Sequence, residues 1–203
     1  MENKLLIVFY FPEFLLTSGC LILLLIGVFL KQEVFKRISF LSIILLLAVG
    51  LSVLKDTTLS FAYYNTLFKS SQFILFFKIL IILGSIASIS ISINFFNDLK
   101  LNKFEIPLLI LFSTIGMMVL ISSNNLMSMY LGIELQSLSL YVIAAINRDS
   151  LQSSESGVKY FVLGALSSGI LLYGCSLIYG FTGSTNFDEI KSKIKLDDTS
   201  LKF

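Results

Sequence analysis

Histidine and tryptophan are absent from this sequence, and charge is scarce. Without His the chain lacks both the commonest metal ligand and the side chain whose ordinary pKa lies nearest neutrality. Any proton chemistry must therefore run on carboxylates, lysines, tyrosines and water. Only two cysteines occur, Cys20 and Cys175, each inside an apolar run. A disulfide framework or thiolate metal site needs more cysteines at recognisable spacing, so both read as small hydrophobes and no metal site is expected. The net charge is +2 with no basic stripe, which excludes a nucleic-acid partner. No internal repeat and no phosphate-binding glycine loop occur. Charged residues make up 14% of the chain, against about a quarter in soluble domains. Most of the surface must therefore face something apolar.

What is present is hydrophobic: 56% of 203 residues, with a mean hydropathy of +0.89. Apolar stretches lie at about 12–30, 38–54, 73–97, 105–122, 125–146 and 154–181. A spanning helix needs about 20 such residues. Barrel strands would be about 10 residues with strict alternation, a pattern that is missing. Hydrocarbon leaves helix as the remaining way to satisfy every backbone amide. The fold class is thus an all-α membrane protein of about six transmembrane helices. Residues 1–181 form the bundle, and 182–203 a polar tail on the outer side. In that tail Phe187, Ile190 and Ile194 recur at helical spacing, so part of it is expected along the membrane surface. The first apolar run follows MENKLL and shows no convincing cleavage site before Lys31, so it reads as a retained helix. The two prolines, Pro12 and Pro107, sit in first helical turns, where no hydrogen bond is lost.

The connections differ in charge. Lys31, Lys36, Arg37, Lys100, Lys103 and Arg148 lie on one side, and Lys4, Lys55 and Lys69 on the other. The positive-inside rule puts the 31–37, 98–104 and 147–153 loops in the matrix or cytoplasm.

Glu134 is the most informative residue. It lies near the middle of the fifth stretch, about 15 Å from either end at 1.5 Å per residue. A charge at that depth costs about 2.5–3.5 kcal/mol on insertion scales, so the carboxyl must face other helices or internal water. Desolvation favours its neutral form and a nearby cation its ionised form, the balance a proton carrier needs. Tyr130, Glu134, Ser137 and Tyr141 share one helix stripe, with Gln136 and Ser139 nearby. The competing reading is a neutral Glu that joins two helices by hydrogen bonding. Lys159, early in the sixth stretch, is either a proton site or a snorkelling lysine. Its backbone differs in depth from that of Glu134 by about 10 Å, which favours a water-bridged link over direct contact. Lys78 lies near the outer side, where snorkelling is the favoured reading. Gly164/Ser168 and Ala165/Gly169 are small residues four apart, a close-packing signal.

These residues carry a resemblance. Met129-Tyr-Leu-Gly-Ile-Glu-Leu-Gln-Ser-Leu resembles the fifth helix of an antiporter-like membrane subunit of respiratory complex I, called subunit N in bacteria and subunit 2 in mitochondria. Glu155-Ser-Gly-Val-Lys-Tyr-Phe-Val-Leu-Gly-Ala-Leu-Ser-Ser-Gly is similar to its sixth helix, and Tyr179 to Phe187 also fits. The resemblance covers essentially the whole chain and implies a proton-translocating subunit of NADH:ubiquinone oxidoreductase. It implies no redox centre and no cofactor in this chain. Glu134 and Lys159 match the family's proton-site glutamate and sixth-helix lysine. Family members have about fourteen helices, and their seventh supplies a lysine partner for the glutamate. The resemblance therefore implies a second chain carrying the remaining helices, together with other membrane-arm subunits and lipid as partners. A fragment of a stand-alone cation/proton antiporter, or a purely structural membrane-arm subunit, are the alternatives. The Lys-, Asn-, Ile-, Phe- and Ser-rich composition suits an AT-rich organellar genome and points to the mitochondrial inner membrane, with a bacterial inner membrane as alternative.

Overall fold

A computed structural model of the chain describes residues 11–29, 34–56, 67–99 and 101–200. Lys4, Lys31 and Lys100, used above to orient the chain, lie outside these residues, as does the side chain of Lys55. The described residues form α1 (Phe11–Phe29), α2 (Val34–Asp56), α3 (Gln72–Asp98), α4 (Glu105–Ser122), α5 (Leu126–Ala144), α6 (Leu151–Thr182) and α7 (Phe187–Ser200). Six of them, α1 to α6, are long and apolar enough to cross a membrane. Their bounds fall within four residues of the apolar stretches in the sequence, because hydropathy and span length constrain the same segments.

Helix ends follow local chemistry. The Ser71 hydroxyl accepts the Ile74 amide at 3.2 Å, and the Asn125 side chain accepts the Met127 amide at 2.8 Å. Each satisfies an amide that has no partner within its own helix. At its other end α6 stops at Gly183, whose φ of 64° carries the chain out of the helix. The Lys193 ammonium then caps the carbonyl of Thr182.

Helices α1 to α4 pack around one core, with Leu16, Ile38, Leu46, Ile82, Ile89 and Leu111 deeply buried. The tightest pairing is α4 with α5. A Cβ at Gly116 would meet the Gln136 amide nitrogen at 2.7 Å and the Gly132 carbonyl oxygen at 2.8 Å. A Cβ at Gly132 would meet the Leu120 nitrogen at 2.9 Å. These are backbone atoms and cannot step aside. In lipid, such close approach is a main source of helix association, because the solvent is as apolar as the side chains. Helix α6 leans on α5, but most of its length is left uncovered by the other described residues.

The two ends of the bundle are tied separately. At one end the Lys103 ammonium donates to the carbonyl of Ile146 at 2.6 Å, joining the α3–α4 and α5–α6 connections. At the other, the link Ser123–Asn125 is clasped from two sides. The Asn124 amide donates to the Leu67 carbonyl at 2.8 Å, and its carbonyl accepts the Phe187 amide at 3.1 Å. The first is called the inner end and the second the outer end, after the sidedness expected from the charge bias of the loops.

The α4–α5 contact predicts a sharp contrast between glycines. Gly132→Leu must prise two backbones apart and is expected to destabilise the bundle by about 1–3 kcal/mol or more. Gly84→Ala, where a Cβ meets nothing within 4 Å, is expected to be neutral or better. Unfolding of the detergent-solubilised protein, followed by helical circular dichroism, checks both.

Candidate functional site

Seating Gly132 and Ser139 against α4 fixes the rotation of α5. Ser139 is buried there and donates to its own helix, to the carbonyl of Leu135. At 100° per residue, Glu134 lies about 200° around the helix from Gly132, on the side turned away from α4. Tyr130, Ser137 and Tyr141 lie within about 60° of it. All four are half-buried, so this chain covers the stripe only in part.

The cover it does supply comes from α6, at the inner end of the stripe. The Tyr141 ring meets Tyr160 and Phe161 edge-on, with centroids 4.7 and 5.8 Å apart. Its hydroxyl end rests over Gly164, where any Cβ would collide with it. The small residue at 164 is thus needed for a ring on α5. Gly169 has nothing within 4 Å of a Cβ position, so that half of the small-residue pattern is unused among the described residues. Next to Tyr141 a cavity of about 670 Å³ opens toward the inner end, with Lys103, Glu105 and Arg148 in its walls.

Among the described residues Glu134 makes no hydrogen bond and no ion pair. Lys159 is not its partner. The Lys159 ammonium lies 2.6 Å from the Glu155 carboxylate one turn earlier on α6, and both side chains are more than half exposed. The structure therefore gathers Tyr130, Glu134, Ser137 and Tyr141 on one face and leaves Lys159 apart. No group of three metal-ligating residues occurs among the described residues.

Lys78 departs from its expected role. Its side chain does not snorkel outward; it is 8% exposed and sits 2.5 Å from the Glu13 carboxylate. Depth from the helix end was the signal used for Lys78, and depth does not tell which way a helix is turned. The pairing itself had a sequence signal, an acid in the first turn of α1 and a base near the start of α3, both at the outer end.

At the outer surface Asp188 anchors α7. Its carboxylate accepts from Lys69 at 2.7 Å and from the Asn124 amide group at 3.1 Å. These bonds, the Lys69 one foremost, hold its pKa below the usual 3.8. A lowered pKa means the folded form favours the carboxylate, so this contribution is present above the ordinary carboxylate range and lost as pH falls through the folded value. Hydrogen exchange at the Phe187 amide, corrected for its intrinsic pH dependence, is expected to speed up in that acid window. Asp188→Asn is expected to flatten the response.

Residues 123–202 match the family described as NADH:quinone oxidoreductase/Mrp antiporter, TM. NADH-quinone oxidoreductase subunit N 1 of Rhizobium meliloti is 45% identical across 94% of this chain and 39% of its own length. Subunit N of Bartonella bacilliformis is 47% identical across 93% of this chain and 38% of its own length. This chain spans about two fifths of the length of these relatives. Among solved structures, respiratory complex I from Thermus thermophilus with bound aureothin contains a chain that matches with a TM-score of 0.71 and 28% identity, over 86% of this chain and 38% of that one. The membrane-bound sulfane sulfur reductase, an archaeal respiratory membrane complex, matches in fold with a TM-score of 0.70 and 18% identity, over 91% of this chain and 39% of that one.

Proposed function

The chain belongs to the antiporter-like membrane subunits of NADH:quinone oxidoreductase, and on that premise we propose that it forms part of a proton path in such a complex, with Glu134 as the proton-carrying group. One observation carries the reading: a carboxyl in mid-span on α5, on a polar stripe turned away from α4, with no partner among the described residues. In hydrocarbon such a group needs a cation, a proton or water. A carboxyl that meets each in turn gains and loses a proton, and that exchange is the elementary step of translocation. The chain needs no redox group for this step; quinone reduction elsewhere in the complex supplies the energy.

The cavity beside Tyr141, lined by Lys103, Glu105 and Arg148 among mostly apolar side chains, lies at the Tyr141 end of the same stripe. We read this as the approach for protons to Glu134, with Ser137 between. Lys159, paired with Glu155 on an exposed face, acts at most indirectly. The second reading, a piece of a stand-alone cation/proton antiporter, draws on the antiporter half of the family description. Co-purification with flavin- and iron–sulfur-containing subunits separates the two.

The uncovered faces of α5 and α6 fit a site completed by further helices. We propose that those helices, carried on a second polypeptide, pack along Tyr130–Tyr141 and bring a mid-membrane lysine toward Glu134. The membrane is proposed to be the mitochondrial inner membrane on the grounds of composition; the relatives named above are bacterial, and there the equivalent is the inner membrane. A subunit inventory and structure of the native complex test this. A longer native chain, or lipid alone against the stripe, would contradict it.

In the assembled complex, Glu134→Ala is expected to bring NADH-driven proton pumping close to background, while Glu134→Asp retains a substantial part. Lys159→Ala is expected to cost less, since an exposed pair one helical turn apart is worth about 0.3–0.5 kcal/mol and leaves the stripe intact. Proton uptake by membrane vesicles, measured per NADH oxidised, checks the order. Normal pumping by an assembled Glu134→Ala complex would end the proposed role.

A further inference from the structure

Glu134 is not the only ionisable group set within the spanning helices. Glu13, in the first turn of α1, and Lys78, in the second turn of α3, meet at 2.5 Å where α1, α3 and α4 converge. Lys78 is 7% exposed. The second oxygen of the carboxylate, Glu13 Oε2, is buried and has no hydrogen-bond partner. The buried Ser122 hydroxyl lies 3.4 Å from the first oxygen, Oε1. The reading above uses none of these residues.

The arrangement is poorly explained as a stabilising strut. A carboxylate offers about four acceptor positions and an ammonium three donors. Among the described residues, the ammonium of Lys78 bonds to Glu13 alone. Buried pairs justify their desolvation when the remaining positions are satisfied, and a well-packed apolar pair often serves as well or better. Here one oxygen is left facing the interior with nothing to accept from, a place that suits a water molecule or a proton.

Polar groups continue from the pair in both directions. Outward, the Ser122 carbonyl accepts the Lys69 amide at 2.8 Å, and Lys69 reaches Asp188 at the outer surface. Inward, Ser85 lies two turns along α3 from Lys78 and shares a 2.8 Å hydrogen bond with Thr114 on α4. Farther in, on α2, the Ser42 hydroxyl is fully buried and likewise has no partner. The two buried side chains with partnerless oxygens among the described residues thus both lie in α1–α4, toward opposite ends.

We propose that Glu13 and Lys78 form a second proton-carrying site, in the outer half of α1–α4 and separate from Glu134. The proposal rests on the proton-translocating reading of the chain. In the step, an N–H bond of the Lys78 ammonium breaks and an O–H bond forms on the Glu13 carboxylate, leaving a neutral amine and a neutral acid. The neutral acid passes its proton to water on the outer side, and the amine regains one from hydronium on the inner side, which restores the ion pair. One proton advances and no electron moves.

The test uses the assembled complex in native membrane vesicles and reads protons moved per NADH oxidised, alongside the oxidation rate and the amount of complex. Glu13→Gln keeps the volume and an acceptor for Lys78 but cannot carry a proton. The double variant Glu13→Leu/Lys78→Met removes both charges and keeps the site packed. Each is expected to assemble, to oxidise NADH at the parent rate with an uncoupler present, and to lose proton yield per NADH. Glu13→Asp is expected to recover part of that yield. Full proton yield in either assembled variant would overturn the proposal, as would failure of both to assemble, which would assign the pair to architecture. Glu134→Gln in the same assay keeps the two readings apart. If it loses pumping while the Glu13 variants keep theirs, this inference alone falls; if it pumps normally, the reading of Glu134 falls first.

Discussion

The contact between the backbones of Gly116 and Gly132 sets the geometry of everything beyond α4. Lipid offers no hydrophobic reward for bringing two apolar helices together, so surface fit and close approach decide how they pair. With no side chain between them, α4 and α5 meet backbone to backbone, and α5 can lie there in one rotation. That rotation buries Ser139 against α4 and turns Glu134 about 200° away from Gly132. The exposure of the carboxyl to whatever lies outside α1–α5 is thus a consequence of two glycines on a different face.

The chain consequently handles two of its membrane carboxylates in opposite ways. Glu13 is enclosed by α1, α3 and α4 and holds its cation within the chain. Glu134 sits at the edge of the folded unit, with half its surroundings left to be supplied. In one case a cation inside the bundle offsets part of the desolvation of a buried charge, and in the other no partner lies among the described residues. The core of α1–α4 therefore owes nothing to Glu134, and the carboxyl is available for chemistry that changes its charge. Tyr141 links the two regimes. Its ring is fixed between Tyr160, Phe161 and Gly164, while the stripe it ends remains partly open.

The six spans could be read from the sequence because a membrane imposes one length and one composition on each of them. The Glu134 stripe was legible as well, since helical spacing alone places Tyr130, Ser137 and Tyr141 beside it. What escaped was the pairing of residues distant in sequence. Lys78 looked like a snorkelling lysine because its depth was known and its helix's rotation was not; its partner lies 65 positions earlier, at Glu13. The glycines that matter most were also missed, in favour of the small residues of α6. A single glycine per helix makes no motif. Yet Gly116 and Gly132 lie seven residues either side of the Ser123–Asn125 link, and an antiparallel hairpin brings equidistant positions face to face. That symmetry was available. The Gly169 signal failed for another reason: among the described residues nothing lies within 4 Å of a Cβ there.

A proton carrier in hydrocarbon must avoid two traps. Permanent ion pairing holds it charged, and isolation holds it neutral. A site assembled within one rigid set of helices tends toward the first unless part of it is left unpaired, as the second Glu13 oxygen is. A site at a seam between helix groups can avoid both, because small shifts across the seam change which partner is near. Glu134 occupies such a position: fixed in rotation by the α4 contact, bordered at its inner end by the Tyr141 cluster, and open along the rest of its stripe. On the proposed reading, the division between a closed α1–α4 bundle and an open α5–α6 edge is the arrangement that proton transfer requires. On that reading, the α4 contact holds the carboxyl in place, and what packs against the open stripe decides when it is charged.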